Sequence, residues 1–387
     1  MHTKLAIIAV SGFALSAVCL GGAFAVGGGT LGSADFNFGG FGLPNCGVVG
    51  PAAAATSRSL PWNGNGDRVA LAMAATAYYR PGSGDQLVIK GDPRLISHVY
   101  VRDGVVSIDC NQGGFMFSRP EQRIEVTLPG RPFKTFELLG SGDMKLASLS
   151  QPDAEISLKG SGNITADGKF DRLKVLIAGS GDVAATGSTG DLNLNVEGSG
   201  DAKLGGLTAK NADVSIDGSG DVEIAPQEAT SVTISNEGSG GIKAQGTTDK
   251  LKVEMEGSGD AKLGGLAAKS AEVHISGSGE AEIAPEDRLN VSIGGSGDVT
   301  LRKEPKNIEV SIGGSGEVIH PDGRREDRES HRRHARAEEI AGSAVAAAVT
   351  HDSDAGAHLA RAQADFAARI KERVARELEK AGVDDDR

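Results

Sequence analysis

Apolar and polar residues alternate one by one along much of this chain. The stretches Leu87–Ile89, Val105–Ile108 and Arg123–Leu128 show it first, each bounded by a turn signal such as PGSGD, GD or DG. A period of two puts successive side chains on opposite faces, so these stretches predict strands with one face buried. Another strand is expected near Val69–Ala77. From Gly140 the alternation acquires a longer period. GSG starts at Gly140, Gly160, Gly179, Gly198, Gly218, Gly238, Gly257, Gly277, Gly295 and Gly314, so the spacing hardly varies. Apolar pairs lie four and two residues before each origin, as in Val214 and Ile216 or Val291 and Ile293. A second set lies four and six residues after it, as in Val183 and Ala185 or Val222 and Ile224. The decapeptide GSGDAKLGGL occurs at Gly198–Leu207 and again three units later, at Gly257–Leu266.

Constant spacing over ten copies means one structural unit stacked many times. Both glycines of each GSG share the parity of the inward residues, so the chain keeps one face inward as it bends. That distinguishes a continuous coil from a row of hairpins. Glycine at the bend avoids a side chain where the wall pinches and supplies unusual backbone angles. The expected fold is all-β: a parallel β-helix of about ten or more rungs of 19–20 residues each, with rungs stacked about 4.8 Å apart. The unit at Gly238 departs from the pattern, with Asn236 at an apolar position and Gly241 replacing the acid, and a bulge or register shift is expected there.

The flanks read differently. Behind Lys4, residues Leu5–Val26 are uncharged and end in Ala23-Phe24-Ala25, which reads as a signal peptide over residues 1–25. The same run is just long enough for a membrane anchor over residues 5–26. Either reading predicts an exported protein, in the periplasm or at the cell surface. Residues 26–61 form a Gly/Pro-rich linker. After His320 a charged run, PDGRREDRESHRRHARAEE, opens a charged linker over residues 321–387. Within it Leu359, Phe366, Ile370, Val374 and Leu378 recur at helical spacing before Gly382. This predicts a C-terminal α-helical tail, amphipathic and packed on the end of the coil or on another chain. Cys46 and Cys110 remain after processing, and in an exported chain they form either a disulfide or two separate thiols.

Composition sharpens the picture. The 387 residues include 56 glycines and only 4% aromatics, which suits tight-turned β repeats better than an enzyme with an aromatic-lined pocket. A net charge of −12 excludes nucleic acid as the main partner.

The serial GSGD turn between V-x-I and V-x-L strands resembles the bacterial family named "putative auto-transporter adhesin, head GIN domain". Trp62, LVIKGD at Leu87–Asp92 and DGVVSI at Asp103–Ile108 extend the resemblance, which covers about residues 62–320. It implies an exported, right-handed parallel β-helix of the cell envelope and carries over no catalytic residues. The chain lacks the C-terminal run of alternating strands that an autotransporter barrel would need.

Candidate chemistry is sparse. Three residues after each origin stands Asp143, Asn163, Asp182, Asp201, Asp221, Gly241, Asp260, Glu280, Asp298 or Glu317. In a coil these form a row facing water. One reading has each Asp capping its own Gly-Ser-Gly turn. The other is a cation ladder, with Asp182, Asp201, Asp221, Asp260 and Asp298 sharing Ca²⁺ between rungs. A phosphate cradle is excluded, because an acid and not Lys-Ser/Thr follows the glycines. Carboxylate pairs such as Asp143 and Asp182 suggest the acid–base chemistry of a carbohydrate-active β-helix enzyme, but every rung offers the same pair. Phe170 is the only Phe, Tyr or Trp between Gly140 and His320. His320, His331 and His334 lie in or beside the charged run without a metal-ligand spacing. The sequence therefore predicts no cofactor. It predicts a non-catalytic, structural or adhesin-like binding module whose partner is an envelope polymer, a protein or another copy of itself. The carbohydrate-active enzyme is the alternative.

Overall fold

A computed structural model describes residues 53–64, 66–109 and 123–327. The expected signal peptide or anchor, most of the linker, Cys46, Cys110 and the C-terminal helix lie outside the described residues.

All the strands among the described residues belong to one 21-stranded sheet, wound into a β-solenoid of about nine turns. Strand Asp143–Leu158 pairs in parallel with Ile164–Ile177, which pairs with Val183–Val196, which pairs with Ala202–Ile216. The stack continues rung by rung to Val318–Ile319. The ten GSG turns bound nine complete coils, so the expected ten or more rungs become nine, with partial coils at either end.

The alternation seen in sequence faces the core as expected. Val183, Val196, Val214, Ile216, Ile234 and Val253 are all at most 1% exposed. A third side of each coil also packs inward, through Leu149, Phe170, Leu207, Ala209, Leu266 and Ala268. Its polar members, Gln151, Thr189 and Thr248, each donate a side-chain hydrogen bond to the carbonyl two residues ahead, at 2.9–3.0 Å. This side lacks a fixed period because it absorbs the difference between rung lengths. The register shifts at Ala184/Thr186 and Lys243/Gln245 fall opposite the paired glycines Gly205-Gly206 and Gly264-Gly265 of the repeated decapeptide. No shift occurs at Asn236, contrary to expectation. It stays in register with Ile216 and Met255, 1% exposed, because its amide spans the turn from inside. Nδ2 donates to the Gly240 carbonyl at 2.8 Å, and Oδ1 accepts from the Gly238 N–H at 3.1 Å.

The GSG glycines are required by close approach. None of them has a positive φ, which corrects the expectation of unusual backbone angles. From Ser161 onward each Ser N–H instead donates to the first glycine carbonyl of the preceding turn, as Ser199 does to Gly179 at 3.1 Å. A Cβ on Gly200 would overlap the carbonyl oxygen of Gly181, and one on Gly179 would overlap that of Gly160. Only the unstacked first turn relaxes this rule. Arg68–Leu71 and Thr76–Tyr79, expected as a single strand, are two strands that flank it. They pair with Thr135–Leu138 and Asp143–Leu146, so Met73 and Ala75 occupy the two glycine positions.

The N-terminal end of the core is closed. Trp62, Tyr79, Phe133 and Phe136 form an aromatic cluster with ring centroids 5.0–6.3 Å apart. Over it lie antiparallel strands, including Thr56–Pro61 on Gln86–Gly91. Thr56–Pro61 falls inside the expected linker, since its polar composition hides a strand held by Gln86–Gly91. Buried Asp92 caps the short helix Pro93–Ile96 and binds Arg94, whose hydrogen bonds hold its carboxyl far below the usual carboxylate range. At the other end Val318–Ile319 turns back as an antiparallel hairpin with Arg325–Glu326, inside what reads as charged linker.

Replacing Gly200 by Ala is expected to lower stability by about 3 kcal/mol, because backbone carbonyls cannot move away as a flexible side chain can. Serine at position 199, exposed on the same turn, should tolerate Ala within about 0.5 kcal/mol. Urea unfolding of the two variants checks the contrast.

Candidate functional site

The acidic row faces water as expected, but its hydrogen bonds run between turns and not within them. Oδ1 of each Asp or Asn accepts from the backbone N–H of the equivalent residue one rung on. Asp143 accepts from Asn163, Asn163 from Asp182, Asp182 from Asp201, Asp201 from Asp221 and Asp221 from Gly241, at 2.8–3.2 Å. Asp260 and Asp298 serve Glu280 and Glu317 in the same way. The acceptor must be a short side chain. Gly241, Glu280 and Glu317 receive such a bond without passing one on.

The geometry also explains how carboxylates tolerate stacking. One oxygen is neutralised by the backbone, and in places a lysine takes the other. Lys203 Nζ lies 2.5 Å from Asp182 and 3.6 Å from Asp201. The Lys203 hydrogen bond, opposed by partial burial and aided by the Asp201 N–H, holds Asp182 below the usual carboxylate pKa. The five residues of the expected cation ladder thus lie in one row, each with an oxygen committed to the next rung. Among the described residues no three His, Cys, Asp or Glu side chains converge as metal ligands. Asp143 and Asp182, the candidate acid–base pair, are two rungs apart with Asn163 between them.

A concavity not singled out from sequence runs along the side preceding each turn. Seven and five residues before each GSG from Gly160 on, outward side chains form two parallel rows over a floor that includes Ala154, Leu173, Leu192 and Ala212. One section, of about 710 Å³, runs from Asp67 and Lys134 to Ser231 and Thr233. A second, of about 680 Å³, begins at the same Ser231 and Thr233 and continues to Asn307 and Glu309. Together they make one groove that crosses nine rung steps from Thr135 to Glu309, roughly 43 Å at 4.8 Å per step.

Opposite charges stand in register at its first rungs: Arg172 with Asp153 at 2.7 Å, and Lys174 with Glu155 at 3.1 Å. These pairs are exposed and contribute little to stability. The middle rungs set Asp191 beside Asn193 and Asn211 beside Asp213, and only the Ser231 and Thr233 rung is uncharged. Beyond it charge returns at Lys250, Lys252, Glu272 and Arg288. Phe170 is buried, so between Gly140 and His320 no Phe, Tyr or Trp ring stands in the groove. A smaller depression of about 490 Å³ on the side following the turns mixes Asp201, Asp221 and Glu223 with Lys203, Lys243 and Lys262. The groove was legible only in part. Its rows alternate visibly with the core residues, but their alignment appears once each rung's register is known.

His320, read from sequence as part of a solvated run, is 3% exposed. Its Nδ1 sits 3.0 Å from Glu304, and its Nε2 lies 3.3 Å from Glu326 of the terminal hairpin. Hydrogen bonding to Glu326, and then to Glu304, outweighs burial and raises its pKa. His331 and His334 lie outside the described residues.

The family model described as "Putative auto-transporter adhesin, head GIN domain" matches residues 67–239 and 227–305. These matches cover more than half of the chain, which therefore belongs to that family. Similar solved structures include a "putative adhesin" from Bacteroides fragilis NCTC 9343, 16% identical over 70% of this chain and 98% of that one, with a TM-score of 0.30. A "putative adhesin" from Parabacteroides distasonis ATCC 8503 is 17% identical over 69% and 97%, with a TM-score of 0.38. A "putative lipid binding protein" from the same organism is 20% identical over 69% and 96%, with a TM-score of 0.35. No curated protein matches the chain.

Two outcomes follow from these contacts. Asp221→Ala should cost about 0.5–1.5 kcal/mol, while Asp221→Asn, which keeps the acceptor that Asn163 provides naturally, should cost a few tenths. Chemical denaturation of both variants reads the difference. For His320, a raised folded pKa means its stabilisation is full below the ordinary histidine value and is lost as pH rises through the folded value. Amide protection of Val318–Glu326, corrected for intrinsic exchange, should therefore fall as pH rises above the ordinary histidine value and become nearly independent of pH in His320→Gln.

Proposed function

We propose that this member of the head GIN domain family is a non-catalytic binding module of the bacterial envelope, engaging an extended partner along the groove beside its turns. The observation that carries the reading is the groove itself: two collinear sections joined at Ser231 and Thr233, lined by amides, hydroxyls and charges of both signs. Such a lining offers hydrogen bonds at every rung to a linear polymer or an extended peptide and concentrates no reactive group at any one rung. Catalysis needs a site unlike its neighbours, with acid and base held in different environments. The acidic row repeats one environment and commits one oxygen of each Asp to the backbone.

Under the same proposal, residues 62–320 are the β-helix domain, wound right-handed as crossovers between parallel strands are. Residues 1–25 direct export, or residues 5–26 anchor the chain, and the module acts in the periplasm or at the cell surface. The family description, which speaks of adhesion, supports an envelope polymer or protein as the partner.

The test uses the full chain with the groove obstructed by Asn193→Tyr and Thr233→Tyr, both on exposed or half-exposed positions. Sedimentation with peptidoglycan, envelope polysaccharide and cell-surface protein fractions should detect binding that drops at least about tenfold in the double variant, or about 1.4 kcal/mol. Unchanged binding would place the partner elsewhere. Turnover of any polysaccharide, abolished by a single acid substitution, would instead establish the carbohydrate-active enzyme.

A further inference from the structure

The two ends of the solenoid are finished unequally. The N-terminal end is closed by the aromatic cluster and its antiparallel strands. At the C-terminal end the strand Asn307–Ile312 pairs only with Ala281–Ile293, leaving its outer edge unpaired among the described residues. Ile308 and Val310 there are half-buried, although their register partners Leu289 and Val291 one rung below are 2% and 0% exposed. The hairpin of Val318–Ile319 and Arg325–Glu326 covers only the neighbouring side, by stacking on Val299–Leu301. A repeat array left this way exposes both core and strand edge, and needs a cap.

We infer that residues 355–381 of this same chain are that cap, with the apolar series Leu359, Phe366, Ile370, Val374 and Leu378 seated over Ile308, Val310 and Ile312. The chain leaves the described region at Asp327, at this end of the stack. Residues 328–354 can span roughly 90 Å when extended, several times the distance across a coil of this size. As a helix, residues 359–378 would measure about 30 Å, enough to cross the open end. One charge contact is available. Arg369, Arg373, Arg376 and Lys380 recur three or four residues apart beside the apolar series, and Glu309 on the open strand has no ion pair among the described residues, whereas Lys303 and Lys306 of the rim are already engaged by Glu286 and Asp287. A second copy meeting this one end to end would bring Glu309 towards Glu309, and the exposed Lys303 and Lys306 of each rim together. Charges of this kind are what blunt strand edges against pairing. The inference is independent of the groove.

Hydrogen exchange with mass spectrometry on the full chain tests it, following the peptide that covers residues 305–313. Ile370→Asp with Val374→Asp should speed exchange in that peptide on the order of tenfold. Residues 160–290 should be unaffected and the mass by light scattering should be the same in variant and unaltered chain. The milder pair I370A/V374A makes the same comparison should the aspartates reduce the β-sheet circular dichroism. Equal exchange in variant and unaltered chain overturns the inference. So does protection in the unaltered chain that fades on dilution, which would make a second copy the cover. Protection that appears only with phosphatidylglycerol vesicles overturns it as well, by assigning the segment to a lipid surface.

Discussion

Rungs in this protein approach so closely at each bend that the backbone carbonyl of one turn occupies the space a side chain would need on the next. The rest of the structure depends on that contact. It demands glycine on both sides of an exposed serine once in every coil, and so sets the length of each coil. It holds the strands in parallel register, which brings Val, Ile, Leu and Ala into continuous inward rows. Met73 and Ala75 mark its boundary, because the first turn has side chains where stacked turns have glycine.

A second consequence of stacking concerns charge. A row of carboxylates a rung apart would repel in isolation, by about 1 kcal/mol per neighbour at this distance in water. Here each short acid accepts a backbone N–H from the next rung, so the row extends the hydrogen-bond ladder. Asn163 sits in the same row with the same bond, which identifies the acceptor atom and not the charge as the structural requirement. Repetition then spreads one chemical environment along the length of the solenoid. That is poor ground for catalysis and good ground for holding an extended partner, and it directs attention to the groove, where charged and neutral side chains are interspersed along its length.

Irregularity is confined to places where stacking permits it. The third side of the coil takes up extra residues at Gly205-Gly206 and Gly264-Gly265, away from the turns. Buried Asn236 replaces an apolar residue without disturbing register, because its amide finds both a donor and an acceptor within its own turn. At the ends, where a rung has a neighbour on one side only, other chemistry enters: aromatic rings and Asp92 at the beginning, and His320 between two glutamates near the close.

Residue order alone was sufficient for the coil, its period and its two apolar faces, because parity and spacing are local properties that each unit repeats. Asp143 through Asp298 could be placed in one outward row on the same basis. What residue order could not convey was which atoms meet between rungs, since equivalent residues of successive units touch only after the chain has wound once. The Asp hydrogen bonds therefore run to the next turn, where residue order suggested their own. The third side, the strand at Thr56–Pro61 and the hairpin after His320 likewise depend on partners distant in sequence. So does the groove. Asn193, Asn211, Ser231 and Thr233 are ordinary polar residues in their own strands, and only parallel stacking aligns them into a surface.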